Sequence, residues 1–226
     1  MNNNLTEMVF ILDMSGSMYS LTDDTIGGYN TLLNEQKAKE GDANVTTVLF
    51  NSKSEVIHDR KNIKNVENLT SKEYVPMGNT AMLDAVGNTI QSIGQKLANM
   101  PEEERPGNVV VTIITDGMEN ASREFNWEQI QSMIKEQREK YSWIFTFIGA
   151  NIDVMDISQR IGIDSRLAKS YTASKAGTGS VYKAMSLTLG ASRDMSMKRK
   201  SKAKVSKEEL DGAIGAMSDI MDEEIK

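Results

Sequence analysis

The sequence contains no cysteine and only one histidine, His58. Without cysteine there are no disulfides, thiolate metal sites, iron–sulfur clusters or cysteine nucleophiles. A single histidine is too few for a histidine-rich metal centre, and a serine–histidine–aspartate mechanism would depend on His58 alone. We predict that His58 lies on a strand at the edge of a sheet, with its side chain exposed and without a role in catalysis.

The sequence also lacks the long apolar segments of a membrane protein. No apolar run approaches the ~20 residues that a membrane-spanning helix needs, and the first residues lack the basic start and apolar centre of a secretion signal. Together with the missing cysteine, this predicts a cytoplasmic protein without a membrane partner. The formal net charge of −6 argues against nucleic acid as the partner of the whole protein.

Short apolar runs alternate with amphipathic segments along most of the chain. Apolar or β-branched residues cluster in six predicted strands, at residues 8–12, 45–50, 55–58, 109–114, 141–148 and 169–172. Apolar residues recur every three or four positions in predicted helices at 26–33, 81–97, 127–134, 154–161 and 181–195. The pattern predicts an α/β fold: a doubly wound, mostly parallel central sheet with helices on both faces. Residues 45–58 are predicted to form a hairpin at the sheet edge.

Three oxygen-bearing side chains directly follow the first predicted strand. Asp13, Ser15 and Ser17 alternate with Met14 and Gly16. Ligands of open α/β sheets bind at the carboxyl ends of the strands, which is where these residues are expected. One carboxylate and two hydroxyls form a set of hard oxygen donors, which favours magnesium, manganese or calcium over zinc or copper.

The Asp-x-Ser-x-Ser pattern of residues 13–17 has the form of the metal-ion-dependent adhesion site (MIDAS) of von Willebrand factor A (vWA) domains. The chain resembles this family from about residue 5 to about residue 175. On this resemblance, Thr80 corresponds to the metal-site threonine of the second loop, and Asp116 to the aspartate of the third loop. The fold implied is the vWA α/β sandwich with one antiparallel edge strand. The lack of extra domains is similar to stand-alone bacterial and phage members.

The resemblance implies a function as well as a fold. A magnesium ion would be held by Asp13, Ser15, Ser17, Thr80 and Asp116, with manganese or calcium as possible substitutes. A protein partner would supply an Asp or Glu that completes the coordination. The protein would then be a binding module and not an enzyme, since no base or nucleophile is identifiable beside the metal loops.

Other interpretations of the same residues were weighed. A helix–loop–helix calcium site fails, because Met18 stands where a glycine is needed and Asp24 where a bidentate glutamate is usual. An aspartyl-phosphate phosphatase would need a second acid at the position of Ser15. A simple turn that caps the next helix is the plainest alternative. A metal-dependent hydrolase stays as the alternative function, and Glu119 and Asp153 are predicted to be solvated loop acids near the site.

The last part of the chain differs in composition. We predict a vWA domain over residues 1–192 and an extension over residues 193–226. Residues 193–207 are strongly basic and are predicted to form a mobile linker. The linker has no aromatic residues for base stacking, which argues against nucleic acid. Ser206 and Glu209 form a capping-box pattern before an amphipathic helix. This helix could dock on its own domain, on a partner or on a second copy, so an assembly or scaffold role is a further hypothesis.

Overall fold

The computed structural model describes residues 1–199 and 205–225. Its strands are β1 (Asn2–Asp13), β2 (Asp42–Phe50), β3 (Ser54–Asn62), β4 (Pro106–Thr115), β5 (Ile144–Gly149) and β6 (Ala168–Ser170). They form one sheet in the order β3-β2-β1-β4-β5-β6. Only the β2–β3 pair among these neighbours is antiparallel. The predicted α/β fold class and the antiparallel edge strand are confirmed.

Helices cover both faces of this sheet. They are α1 (Thr22–Lys37), α2 (Met82–Ala98), α3 (Trp127–Tyr141), α4 (Val154–Ile161), α5 (Lys175–Lys198) and α6 (Lys207–Glu224). In β1, Met8, Phe10 and Leu12 pack towards α1, α5 and α6. Val9 and Ile11 point to the other face, towards α2, α3 and α4. The unbroken apolar run of β1 therefore follows from burial on both faces, as expected for an inner parallel strand.

Two helix starts follow the local sequence signals. Asn126 begins α3 and Ser206 begins α6, each with a complete capping box. The capping box predicted at Ser206 is confirmed. The first helix begins differently: a 3₁₀ turn over Gly16–Leu21 leads directly into α1, and Asp23 and Asp24 lie in its first turn.

The prediction that His58 is exposed is wrong. His58 lies on β3 at the sheet edge but is buried, with its Nδ1 atom 3.0 Å from Thr47 Oγ1. The register between β2 and β3 shifts on either side of Thr47. Ile63 and Leu69, on the segment after β3, are buried in the core below this edge. Burial lowers the pKa of His58.

The prediction that a linker begins at Arg193 is also wrong. Residues 193–198 continue α5 past the boundary predicted at residue 192, and Arg193 is buried. Its guanidinium donates to the main-chain oxygens of Gln36 (2.7 Å), Glu40 (2.9 Å) and Gly41 (3.0 Å). These oxygens lie at and beyond the end of α1, where helical carbonyls lack partners within the helix. Residues 200–204 of the predicted linker lie outside the described part of the chain.

The helix α6 docks on its own domain, which was one of the three docking alternatives that the sequence did not distinguish. Ile214, Met217 and Met221 are buried in the core cluster shared with α1 and α5. Ion pairs join the outer side of the helix to the domain, Asp211 to Arg166 (2.8 Å), Asp222 to Lys169 (2.5 Å) and Glu224 to Lys183 (2.8 Å). Within residues 1–199 and 205–225, no helix has the length and apolar character to cross a membrane.

Candidate metal centre

The five predicted site residues lie at the carboxyl edge of β1 and β4, which are neighbours in the sheet. Asp13 is the last residue of β1, and Asp116 directly follows β4. Ser15 and Ser17 lie in the turn after β1, and Thr80 lies in the loop before α2. Because parallel strands end at the same edge, the first and third loops meet across a long separation in sequence.

Hydrogen bonds tie the side chains of the first loop to those of the third. The main-chain NH of Ser15 donates to Asp13 Oδ1 at 2.6 Å. The hydroxyl oxygens of Ser15 and Ser17 are 3.0 Å apart. Ser17 Oγ donates in turn to Asp116 Oδ1 at 2.5 Å. Ser15 and Ser17 therefore link the two carboxylates, through one main-chain NH and two hydroxyls.

The second loop is held between the other two by its backbone. The NH of Gly16 donates to the Gly78 oxygen at 3.1 Å, and the NH of Met77 donates to the Met14 oxygen at 3.0 Å. On the other side, Asn120 and Thr80 exchange two hydrogen bonds, from Thr80 N to Asn120 Oδ1 and from Asn120 N to Thr80 O, both at 3.0 Å. Thr80 is thus fixed relative to both acidic loops.

A point beside Gly117 shows how the site oxygens converge. A Cβ atom built on Gly117 would lie 2.8 Å from Thr80 Oγ1, 3.4 Å from Ser17 Oγ and 3.5 Å from Asp13 Oδ2. Side chains from the first and second loops therefore approach one position of atomic size on the third loop, which the missing side chain of Gly117 leaves free. The three nearest atoms are all oxygens, and such a donor set suits magnesium or manganese.

The electrostatics of the site also fit a cation. Asp13 and Asp116 are both buried, and no Lys, Arg or His among the described residues forms an ion pair with either. Burial raises the pKa of the Asp13 carboxyl to about 6, although hydrogen bonds from Thr115 and Ser15 oppose the shift. Burial also raises the pKa of Asp116. A bound cation would compensate these two charges, which the protein leaves without a positive partner.

The site depends on hydroxyls as much as on carboxylates. Within the described ranges there is no group of three or more His, Cys, Asp or Glu side chains placed to hold a metal. The arrangement around Gly117 supplies two carboxylates, Asp13 and Asp116, and otherwise the hydroxyls of Ser15, Ser17 and Thr80. The residues present fit a hard divalent cation and not a soft one.

Sequence reasoning missed three residues that position these groups. Thr115 Oγ1 donates to Asp13 Oδ2 at 2.5 Å, and the Tyr74 hydroxyl donates to the Asp13 main-chain oxygen at 2.6 Å. Asn120 is the third, through its bonds to Thr80. Thr115 could have been noticed as a hydroxyl next to Asp116 at the end of a buried strand. Tyr74 and Asn120 carry no comparable local signal.

The two loop acids have structural roles. The Glu119 carboxylate accepts hydrogen bonds from the main-chain NH groups of Leu83 (2.9 Å), Ala121 (2.9 Å) and Ser122 (2.8 Å). It therefore joins the third loop to the start of α2. Asp153 caps α4 by accepting from Asp156 N at 3.0 Å.

No family model and no curated protein sequence matches the chain. Solved structures do match it. Proximal thread matrix protein 1 from the mussel byssus, with a zinc-occupied MIDAS motif, superposes with a TM-score of 0.56 at 16% identity, over 80% of this chain and 44% of that one. A von Willebrand factor type A structure from Catenulispora acidiphila gives 0.54 at 14% identity, over 82% and 43%. The fold is vWA-like.

Manganese-loaded TRAP protein of Plasmodium vivax has the same vWA-like fold, with a TM-score of 0.53 at 17% identity over 76% of this chain and 70% of that one. This chain spans less than half the length of the mussel and Catenulispora proteins. The zinc and manganese belong to those relatives of the fold. At such low identities the likeness establishes the vWA-like fold of this chain and leaves its metal and partner to be tested.

Proposed function

We propose that this protein is a magnesium-dependent protein-binding module. The observation that supports this best is the convergence of Thr80, Ser17 and Asp13 oxygens on one point beside Gly117, next to two buried carboxylates without a positive partner. Asp13, Ser15, Ser17, Thr80 and Asp116 would hold the ion. When bound, the cation would offer a coordination position to an Asp or Glu of a protein partner.

The proposed ligands would have different roles in holding the ion. Both oxygens of Asp13 already accept hydrogen bonds, from Ser15 N and from Thr115 Oγ1. These bonds fix the carboxylate and take up part of its charge, so the hydroxyls of Ser15, Ser17 and Thr80 can serve as neutral ligands. A site with few fully available anionic ligands stays attractive to a further carboxylate. Magnesium suits such an oxygen site, and manganese could replace it.

We propose binding and not catalysis as the activity. The hydrogen-bond partners of the two site carboxylates in the described chain are hydroxyls and main-chain NH groups. His58 is paired with Thr47 at the β2–β3 edge. Neither these hydrogen-bond partners nor His58 supplies a general base beside the proposed ion. A cytoplasmic location belongs to the same proposal and rests on the absence of cysteine.

Thermal unfolding with magnesium and with a chelator tests the site. A ligand that binds only the folded state stabilises it by about 2.7 kcal/mol at a hundredfold excess over Kd. For a chain of this size, that corresponds to a rise in Tm of roughly 5–10 °C. We expect this rise in the wild type and not in Asp13→Ala. The exposed Asp156, which lies on α4, provides the control, and Asp156→Ala should keep the full magnesium effect. Equal shifts in Asp13→Ala and the wild type would contradict the proposal.

A further inference from the structure

Three large hydrophobic side chains are exposed around the candidate metal centre. Tyr19, Met77 and Met118 have 77%, 56% and 69% of their surface accessible, and Tyr19 and Met118 are the two most exposed large hydrophobic residues in the described chain. We call these three residues the apolar rim. Single exposed hydrophobic residues are ordinary on protein surfaces, whereas a group of them at one site marks a surface that binds something.

The apolar rim lies close to the proposed ligands because each member follows or precedes one of them on its own loop. Tyr19 comes two residues after Ser17, and Met118 comes two residues after Asp116. Met77 precedes Thr80, the proposed ligand on the second loop, by three positions. Three residues of fully extended chain span at most ~11 Å. The rim and the site therefore belong to one surface.

The exposure of the rim does not come from loosely packed loops. Met14, Met18 and Tyr74, which lie on the same loops or beside them, are buried in the core. Backbone hydrogen bonds connect the loops, including Met77 N to the Met14 oxygen. The loops are thus anchored by one set of apolar side chains and present another set outwards.

We propose that the apolar rim is part of the binding surface, and that the partner is a peptide segment in which an Asp or Glu is flanked by large apolar side chains. This inference rests on the proposed function, since the metal centre would bind the acid. Charge complementarity places one anionic group at the centre. The surroundings favour apolar neighbours, because a charged flanking side chain would lose water against the rim without gaining a partner.

The types of residue in the rim indicate how the flanking side chains are recognised. Methionine is flexible and polarisable and adapts to apolar groups of different shape. Tyrosine offers a large, rigid contact area with a polar tip, which is common at interfaces. The rim therefore predicts a preference for large apolar flanks as a class, and not for one particular side chain.

Selection from a displayed peptide library tests this. The library has a fixed central Asp or Glu with random residues on both sides, and the full-length protein is the bait in magnesium. Peptides eluted with chelator are sequenced. We expect large apolar residues to be enriched beside the acid. With the double variant Met77→Ser, Met118→Ser we expect that enrichment to disappear, and a peptide selected on the wild type to bind on the order of tenfold more weakly or worse.

A matched control separates the rim from exposed apolar surface in general. Tyr141 is 57% accessible and ends α3, at the opposite edge of the sheet from the metal loops. Tyr141→Ser should select the same peptides as the wild type. The rim variants should also keep the magnesium-dependent rise in Tm, because Met77 and Met118 are not proposed ligands.

The other outcomes are distinct. Chelator-eluted peptides with an acid but without apolar flanks, or the same flanks selected by the rim variants, would overturn the inference and leave the metal-dependent binding module intact. If the protein retains no peptide in magnesium, although magnesium still raises its Tm, the carboxylate-binding function itself is overturned. Magnesium-dependent self-association that blocks peptide binding would identify a second copy as the occupant and overturn the assignment to a peptide segment.

Discussion

Gly117→Ala is expected to abolish magnesium binding although it removes none of the five proposed ligands. The added methyl would stand 2.8 Å from Thr80 Oγ1 and 3.4 Å from Ser17 Oγ, at the point where the site oxygens converge. The atom that it meets most closely is the end of a side chain, so the loops should keep their fold. We expect the whole magnesium-dependent stabilisation to be lost, about 2.7 kcal/mol at a hundredfold excess of ion over the wild-type Kd.

Calorimetric titration of magnesium into the chelator-treated protein measures this loss directly. Gly16→Ala is the matched control, because a Cβ at Gly16 would meet only the Gly78 backbone, at 3.5 Å and beyond. It should bind magnesium as the wild type does. If Gly117→Ala bound the ion with unchanged affinity, the cation would have to lie elsewhere on the carboxyl edge.

Arg60→Ala is expected to lower the free energy of unfolding more than the substitution of any exposed residue. Glu7 is fully buried in β1, and Arg60 Nε lies 3.0 Å from its Oε2 atom. Removal of the arginine would leave a buried carboxylate without its counter-ion, which costs about 3–5 kcal/mol. Arg60 has φ +46°, and alanine keeps a Cβ there, so both proteins bear the same kind of backbone strain. Urea unfolding at pH 7.5 measures the difference.

The pH dependence of this effect identifies its cause. Burial raises the pKa of Glu7, and the charge of Arg60 opposes that shift. Without Arg60 the folded-state pKa should rise further above the unfolded value. A raised carboxyl pKa removes stability as the pH rises between the unfolded and folded values, so the loss in Arg60→Ala should shrink as the pH is lowered towards 5.

Lys61→Ala serves as the comparison for Arg60→Ala. Lys61 pairs with Glu67 at 2.9 Å on the surface, where an ion pair contributes at most about 1 kcal/mol. A loss in Arg60→Ala as small as that in Lys61→Ala, or one that does not change with pH, would contradict the role assigned to the Glu7–Arg60 pair.

The sheet and its helices could be predicted because their signals are local. The run at residues 8–12 is apolar at every position, and this reflects burial on both faces of β1. The capping boxes at Asn126 and Ser206 are readable from side chains three positions apart. Burial of His58 was not readable in this way, because it depends on contacts between β3 and chain segments that no local pattern connects.

The candidate site divides along the same line. Asp13, Ser15 and Ser17 stand out in five consecutive residues, and Thr80 and Asp116 were reached only through the family resemblance. The bond from Thr115 to Asp13 joins positions 102 residues apart, and it exists because β1 and β4 are neighbours in the sheet. Gly117 matters through the space that it leaves, which a sequence pattern does not display.

Arg193 shows how a charge pattern can mislead. A basic run at the end of a domain is typical of a solvated segment. Here the first arginine of the run instead binds carbonyl oxygens at and beyond the end of α1. These oxygens lie 152 to 157 positions earlier in the sequence. Main-chain acceptors have no side-chain signature, so the sequence gives no sign of this partner.

The central position of β1 has a consequence for synthesis on the ribosome. Of the six strands β1 is synthesised first, whereas its neighbour β4 is complete only when Thr115 is added, 102 residues after Asp13. At ~5–20 residues per second, the nascent chain carries one unpaired apolar edge of β1 for roughly 5–20 s. During that time only β2 can shield it, on the other side. Chaperones that bind extended apolar segments would therefore find their target at residues 8–12, before the loops of the candidate metal centre have met.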